Sequence, residues 1–279
     1  MKKLRTRFRK AFTISCIIGF AAMFLFPVIT TLTNSLMTAA EINAKYYGEG
    51  MRVVSLIPDK ITISQYYELL IEKYKYLHMF WNSVKLSVII TFLNVIIAVS
   101  SAYVFAKVKF KGRDTLFFMY IVVMMMPFQV TLLPNYIQAK FLNILDSHFA
   151  IILPGIFAPF GVFLLRQFMK YIADEYIEAV VLESNSVKDI LAIAVVPAVK
   201  PGIIALIVLT FADNWNMVEQ PLVLLQDSLK YPLSIALNSV VQEAGSIAFA
   251  GSVIYMIPII ILYFYFEEHI IAGLTNAKF

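Results

Sequence analysis

Charge is scarce in this chain. Of its 279 residues 15% are charged and 60% hydrophobic, against roughly a quarter charged and about half apolar in a soluble domain. The deficit is uneven, because the charges gather between long apolar runs. One soluble core cannot bury that much apolar surface. The composition therefore excludes an ordinary globular domain and points to a chain that crosses a membrane several times. Cysteine is nearly missing. Cys16 is the only one and lies in the first apolar run, so no internal disulfide can form and the redox compartment is unreadable. No Gly-x-x-x-x-Gly-Lys-Ser/Thr run occurs, which removes the usual phosphate cradle from this chain. His78, His148 and His269 are scattered and lack metal-ligand spacing. The spans hold no nucleophile–base pair of an intramembrane enzyme. They also hold no Asp, Glu or Arg near a centre. That absence argues against the main alternative, an ion-coupled secondary transporter of a small neutral solute, which commonly needs a buried charge. It suits a neutral cargo. The net charge of +5 is distributed as membrane topology would distribute it, so no nucleic-acid partner is expected.

What is present is a series of apolar runs of about the ~20 residues that a spanning helix needs. Six are predicted, at 11–33, 82–106, 115–136, 146–167, 198–220 and 249–267. The fold expected is all-α, a multi-pass transmembrane helical bundle in contact with membrane lipid. The first run follows a basic segment, Lys2 to Lys10, but it exceeds the ~7–15 residues of a signal-peptide core and lacks a clear cleavage site, so it reads as a retained span. Pro127 and Pro134 fall in the third run, Pro154 and Pro159 in the fourth, and Pro258 in the sixth. Each frees a backbone carbonyl, as a hinge or as a static kink. Met124-Met125-Met126 before Pro127 reads as adaptable packing. Of 23 Lys and Arg, fifteen fall on the face that holds both termini, seven on the other, and Lys85 opens the second run. The positive-inside rule then places both termini in the cytoplasm of a cell-membrane protein. The long outer loop, about 38–79, carries Tyr46, Tyr47, Tyr66, Tyr67, Tyr74 and Tyr76, which suit the membrane interface or a protein docked outside. Two regions follow: 1–79, with the basic segment, first span and long loop, and 80–275, a core with a polar loop at 170–200.

That polar loop is the segment without an obvious structural excuse. Asp174 can cap a short helix, with Glu175 and Glu178 near its first turns, where the helix dipole favours acids. Ser184-Asn185-Ser186 are poor helix formers, and Ser186 with Asp189 offers a start signal for a second helix that ends at Pro197 and Pro201. The expectation is helix, tight turn, helix. Such an elbow makes a rigid knob, suited to passing on a partner's rigid-body motion.

Glu178-Ala179-Val180, then Ser184, then Val195-Val196-Pro197, resembles the Glu-Ala-Ala loop of permease subunits of ATP-binding-cassette importers. Phe160-Gly161 through Phe168, Trp215-Asn216 followed by Pro221-Leu222, Tyr231-Pro232-Leu233, Asn82-Ser83, Ala102-Tyr103 and Ala272-Gly273-Leu274-Thr275 are similar to the carbohydrate-uptake type of that family. The resemblance covers roughly 80–275. Val180 stands where the family has its second alanine, Ser184 where it has glycine, and Ala173 where it has proline. The resemblance implies a type I ABC importer permease that does no chemistry itself. It implies a second permease subunit, as a heterodimer, two ATP-binding-cassette ATPase subunits that bind ATP and Mg, and an extracytoplasmic binding protein that delivers a sugar, an oligosaccharide by the type matched. It also implies that Glu175, Glu178, Ala179, Glu183, Ser184 and Asn185 form the ATPase-coupling site, with Ser184 and Asn185 setting the turn. Sugars are held by aromatic faces and by amide or hydroxyl groups, so Trp215 and Asn216 are candidates for the substrate path. Asn94, Gln129 and Asn135 are polar groups in spans, where lone polar groups are costly; bonds between neighbouring helices would use the same groups. The loop at about 226–248, with Gln226, Asp227, Asn238, Gln242 and Glu243, is a connector or a reach toward the binding protein.

Overall fold

A computed structural model describes residues 2–47, 55–184, 186–237 and 245–276. Helix is the only regular structure among them, with no strand, as expected where backbone groups must bond within their own segment. The long helices are α1 (Lys2–Asn34), α2 (Tyr74–Lys107), α3 (Arg113–Met124), α4 (Phe128–Phe141), α5 (Phe149–Ile156), α6 (Pro159–Lys170), α7 (Asp174–Glu183), α8 (Val187–Ala198), α9 (Lys200–Trp215), α10 (Glu219–Leu224) and α11 (Ala248–Asn276). Four segments are long and apolar enough to cross a membrane: Arg9–Asn34, Tyr74–Lys107, Phe149–Lys170 and Ala248–Glu268. Two bent pairs bring the number to six if each is one span.

The bends correct the expected third span. α3 and α4 do not form one rod over 115–136; they meet at 99°. Pro127, which has no N–H to give back to Val123, stands as the extended residue before α4 (φ −57°, ψ 139°) and disfavours helix in Met126 before it. The expected fifth span is likewise the second arm of an 83° bend between α8 and α9. Pro134, Pro154 and Pro258 sit inside helices without breaking them. Pro159 opens α6 as a first-turn proline.

The chain divides into two compact units. One comprises Met1–Leu77 with Ala236–Ile257, the other His78–Ile235 with Pro258–Phe279. In the first, α1 between residues 9 and 34 buries none of its most apolar stretch, an apolar surface that lipid or another subunit must cover. The long loop is tied to the end of α1. Gln65 Nε2 donates to the carbonyls of Asn34 and Met37 at 2.8 Å each, and the Tyr66 hydroxyl donates to Ser35 Oγ at 2.8 Å. Tyr46 bonds the Asn34 amide, and Tyr76 donates to the Gly251 carbonyl at 2.6 Å. Three of the loop's six tyrosines thus use their hydroxyls internally.

In the second unit, α6 packs on α2 and α9 at Gly161. A methyl group there would lie 2.9 Å from Asn94 Oδ1, 3.0 Å from Ala98 Cβ and 3.1 Å from Leu206 Cδ1. Asn82 Nδ2 donates to the Leu229 carbonyl at 2.7 Å, and Ser83 Oγ accepts from Leu233 N at 2.7 Å, so the polar pair that opens the expected second span holds the segment after α10. That segment has a second anchor. Asp146, at φ +56°, accepts from Gln226 N at 2.9 Å and Asp227 N at 3.0 Å and pairs with Lys230 Nζ at 2.6 Å. The Lys230 hydrogen bond, then those of the two amides, holds the Asp146 carboxyl well below the usual carboxylate range. A depressed carboxyl stabilises above its ordinary titration range and is lost only as pH falls through the lower folded value. The anchor should therefore hold down to pH ~4. Asp146→Ala is expected to expose residues 225–233 to protease on the order of tenfold faster. Asp146→Asn tolerates the left-handed backbone and lacks the charge, so its rate should fall between. Equal rates for all three would remove the anchor from consideration.

Candidate functional site

The polar loop folds as an elbow. α7 begins one residue after Ala173, whose extended backbone (φ −62°, ψ 135°) occupies the cap position and makes no side-chain cap bond. This corrects the expected cap: Asp174 is the first helical residue, and its carboxylate meets Lys107 Nζ at 2.6 Å. The same ammonium donates to the Ile172 carbonyl at 2.5 Å. Hydrogen bonding to Lys107, and then its charge, lowers the Asp174 pKa. The end of α2 is thereby clipped to the start of the elbow. α7 stops at Glu183 because Ser184 is extended (φ −148°, ψ 127°). A glycine is not needed for that conformation, which explains how Ser184 serves there. Ser184 Oγ donates to Asp189 Oδ2 at 2.5 Å and accepts from Ser186 N at 3.3 Å. The expected Ser186 cap is not made: its backbone is extended but its side chain bonds no helix amide. Asn185, expected to set the turn with Ser184, lies outside the described residues.

α8 returns through wide π-type turns over Ile190–Val195. Pro197 lacks the N–H that would bond the Ile193 carbonyl, and the wider turns relieve the ring's clash with it. The inner sides of α7 and α8 share one core: Ile177, Val180, Ile190, Ala194 and Val195 pack with Ala98, Ala102 and Tyr103 of α2 and Leu165 and Met169 of α6. Val180 therefore points inward, and its larger side chain fills core. Glu175, Glu178, Ala179 and Glu183 lie exposed on the other side of α7. Beside them is Leu182, 89% exposed, which sequence reasoning passed over. An apolar residue so exposed on a polar elbow was its available signal.

At the base of the elbow stands Arg166 of α6, 6% exposed. Its Nε donates to the Phe105 carbonyl at 3.0 Å, its guanidinium lies 3.7 Å from the centre of the Phe117 ring, and Nη2 is 3.5 Å from Asp114 Oδ1. It joins the ends of α2, α3 and α6.

Away from the elbow, the second unit holds a cavity of about 600 Å³. Asn94, Asn135 and Asn216, three of the five path candidates, line it together. Gln129 reaches it through Glu219, a lining residue that accepts from Gln129 Nε2 at 3.2 Å. Trp215 does not line it. Its indole is fully buried, stacked on Phe211 at 5.8 Å and 11° and edge-on to Phe80 at 5.8 Å. It offers no open face to a sugar; it braces the end of α9 that carries Asn216. Asn94 is 2% exposed. Its Nδ2 donates to the carbonyls of Ile156 and Ala158 at 3.1 and 3.3 Å, at the break between α5 and α6, so it bonds a neighbouring segment and lines the cavity at once. Sequence reasoning missed Thr131, Thr210, Asp213, Asn214, Glu219 and Gln220 in the wall. Asp213 was passed over because it falls in the last turn of α9, away from a span centre. No cluster of His, Cys, Asp or Glu that could hold a metal ion occurs among the described residues.

Comparison with known proteins gives the following. The family model for "binding-protein-dependent transport system inner membrane component" matches residues 83–276. The arabinooligosaccharides transport system permease protein of Halalkalibacterium halodurans is 29% identical over 261 residues, 92% of this chain and 93% of that protein. The lactose transport system permease protein of Rhizobium radiobacter is 25% identical over 203 residues, 71% of this chain and 74% of that protein. A chain from the crystal structure of a bacterial ABC transporter that imports the acidic polysaccharide alginate superposes with a TM-score of 0.80 over 94% of this chain and 96% of that one, at 23% identity.

Proposed function

This chain belongs to the family of binding-protein-dependent transport system inner membrane components, and from that membership we propose how it works: as the permease half that receives an ATPase at its elbow and passes a sugar along its cavity. It is a transmembrane permease subunit of an ATP-driven importer. Family membership displaces the ion-coupled carrier. The names of the relatives above, arabinooligosaccharide and lactose, support a sugar cargo and an oligosaccharide within reach.

The observation that carries the coupling role is the outward side of α7. Glu178 and Leu182 are one helical turn apart, with Ala179 and Glu175 alongside, so acid, small and apolar groups share one exposed stripe. Glu178 offers charge-assisted hydrogen bonds to a cationic groove, and Ala179 lets another backbone come close. Ser184 and its bond to Asp189 hold the turn; Asn185 is assigned to it by the family resemblance alone. The ATPase is a separate subunit that binds ATP and Mg. The remaining partners are a second permease subunit, which closes the path as a heterodimer, and an extracytoplasmic sugar-binding protein. The excess of Lys and Arg on the elbow's face supports placing the elbow and both termini in the cytoplasm. Asn94, Asn135 and Asn216, with Gln129 through Glu219, form this chain's wall of the path.

The test isolates the assembled complex from membrane and measures ATP hydrolysis with and without sugar-loaded binding protein. The parent is expected to carry an ATPase subunit and to be stimulated severalfold. Glu178→Lys should lower that stimulation on the order of tenfold. A chain that comes out of the membrane with no ATPase subunit would sink the reading.

A further inference from the structure

We propose that this chain's wall of the path is an anion filter: Asp213 and Glu219 give the cavity a negative field that admits uncharged, hydroxyl-rich glycans and turns away uronates and phosphate esters. The proposal rests on the importer reading and concerns the chemical class of cargo. It also replaces one part of the sequence-based picture. There, a neutral cargo followed from an absence of charge; the cavity has charge, all of one sign.

Three observations converge. The first is sign. Asp213 and Glu219 both line the cavity, and no Lys, Arg or His is among its described lining residues. Neither carboxylate makes an ion pair among the described residues; Glu219 meets only the neutral amide of Gln129. Walls of low dielectric and one sign focus the field inside a cleft, which raises the local concentration of one charge type and lowers that of the other.

The second is the direction of the hydrogen bonds. Two of the wall's donor groups are already engaged by main-chain carbonyls: Asn94 Nδ2 by Ile156 O and Ala158 O, and Thr131 Oγ1 by Phe128 O at 2.8 Å. These two groups are left with oxygen to offer. A sugar hydroxyl can donate to such oxygens. A carboxylate or phosphate dianion can only accept, so it finds no partner at these two groups.

The third is an orphan. Asn94 Oδ1 is buried with no hydrogen-bond partner, on a residue that lines the cavity and is itself 2% exposed. A buried amide oxygen without a donor is a standing cost, and with its amide nitrogen already given to Ile156 O and Ala158 O Asn94 offers an anion nothing to accept from.

The test uses the assembled importer in vesicles. With Cys16→Ser this chain has no cysteine of its own, and Asn135→Cys places a reporter thiol in the cavity wall. The thiol is reacted with three methanethiosulfonates of similar size, cationic (trimethylammonioethyl), neutral (hydroxyethyl) and anionic (sulfonatoethyl), each rate divided by its rate with a free thiol. The cationic reagent is expected to outpace the anionic on the order of tenfold. In Asp213→Asn with Glu219→Gln the ratio should fall to near one, and each single variant should fall between. A ratio near one in the parent, a ratio that survives neutralisation, or a thiol unreactive toward all three would overturn the proposal. Sugar-stimulated ATP hydrolysis is measured on the same vesicles. Stimulation with a flat ratio sinks the filter and leaves the importer reading standing; no stimulation in the unsubstituted importer sinks the importer reading itself.

Discussion

Leu182→Asp is expected to abolish sugar-driven ATP hydrolysis and transport together, because the ATPase no longer docks. α7 has two sides with different tasks. Ile177 and Val180 face the shared core, so a charge there would unfold the elbow and say nothing about docking. Leu182 faces away, 89% exposed, so the chain alone folds as well with aspartate as with leucine. Whatever effect the change has must come from a partner. Burying a leucine at an interface stabilises by ~2 kcal/mol, about thirtyfold in affinity. Aspartate forfeits that, and it adds a fourth carboxylate to a stripe that already holds Glu175, Glu178 and Glu183. If the groove is built for Glu178, the added charge must also be desolvated without a matching donor. The expected loss is on the order of a hundredfold in retained ATPase subunit after purification. Leu182→Ala, which removes only the apolar contact, should lose on the order of tenfold. Retention unchanged in Leu182→Asp would mean that the ATPase binds elsewhere on the chain.

The elbow was legible in the sequence to the level of its shape, and the reason is chemical. A polar run between spans, ended by two prolines and broken by Ser184-Asn185-Ser186, admits few folds other than helix, turn, helix. Its details were not legible. What Val180 does in place of the family's alanine depends on which way it points, and that is set by α2 and α6, whose contacts no local pattern reports. Asp174 looks like a cap by position, but Lys107, 67 residues away, outcompetes the local amides for its carboxylate. Four of the six expected spans were legible as apolar runs, while the bends that break the third and fifth were not. Hydropathy averages over a window and is blind to direction. Pro127 marked the place of the 99° break, yet Pro134 and Pro258 carry the same local chemistry and leave their helices continuous. The cavity was half legible. Amides inside spans drew attention to Asn94 and Asn135, whereas Asp213 and Glu219 sit at helix ends, where a charge is unremarkable until the fold turns it toward a hollow. Trp215 was misread for a related reason: an aromatic beside an amide fits a sugar site and a packed helix end equally well, and only Phe80 and Phe211 decide between them.

Arg166→Met is expected to leave the ATPase docked and still hydrolysing while transport fails. Arg166 touches nothing on the outward stripe of α7, so the docking proposed at Leu182 should survive its loss. What it holds is the base of the lever. Its Nε bonds the Phe105 carbonyl in the last turns of α2, and its plane covers Phe117 of α3. A motion delivered to α7 then reaches α2, α3 and α6 as one body, with Lys107 clipping the same end of α2 to Asp174. A hydrogen bond with a charged donor contributes about 1.5–3 kcal/mol, and a cation over an aromatic ring adds about 1. Methionine keeps much of the stem's packing and loses both. The remaining clip, Lys107–Asp174, does not titrate near neutrality: a carboxyl with a lowered pKa contributes above its ordinary value of ~3.9 and is lost only below it. The defect should therefore be the same at pH 6 and pH 8. Sugar moved per ATP hydrolysed is expected to fall on the order of tenfold, against an unchanged amount of bound ATPase. Arg166→Lys keeps the charge but not the plane or the fork of donors, and should restore part of the ratio. The two variants thus separate the two halves of the stroke, since Leu182→Asp removes the partner and Arg166→Met removes the linkage. An Arg166→Met importer that moves sugar at the parent's ratio would show that the elbow reaches the spans by another route, of which Lys107→Ala would be the next to cut.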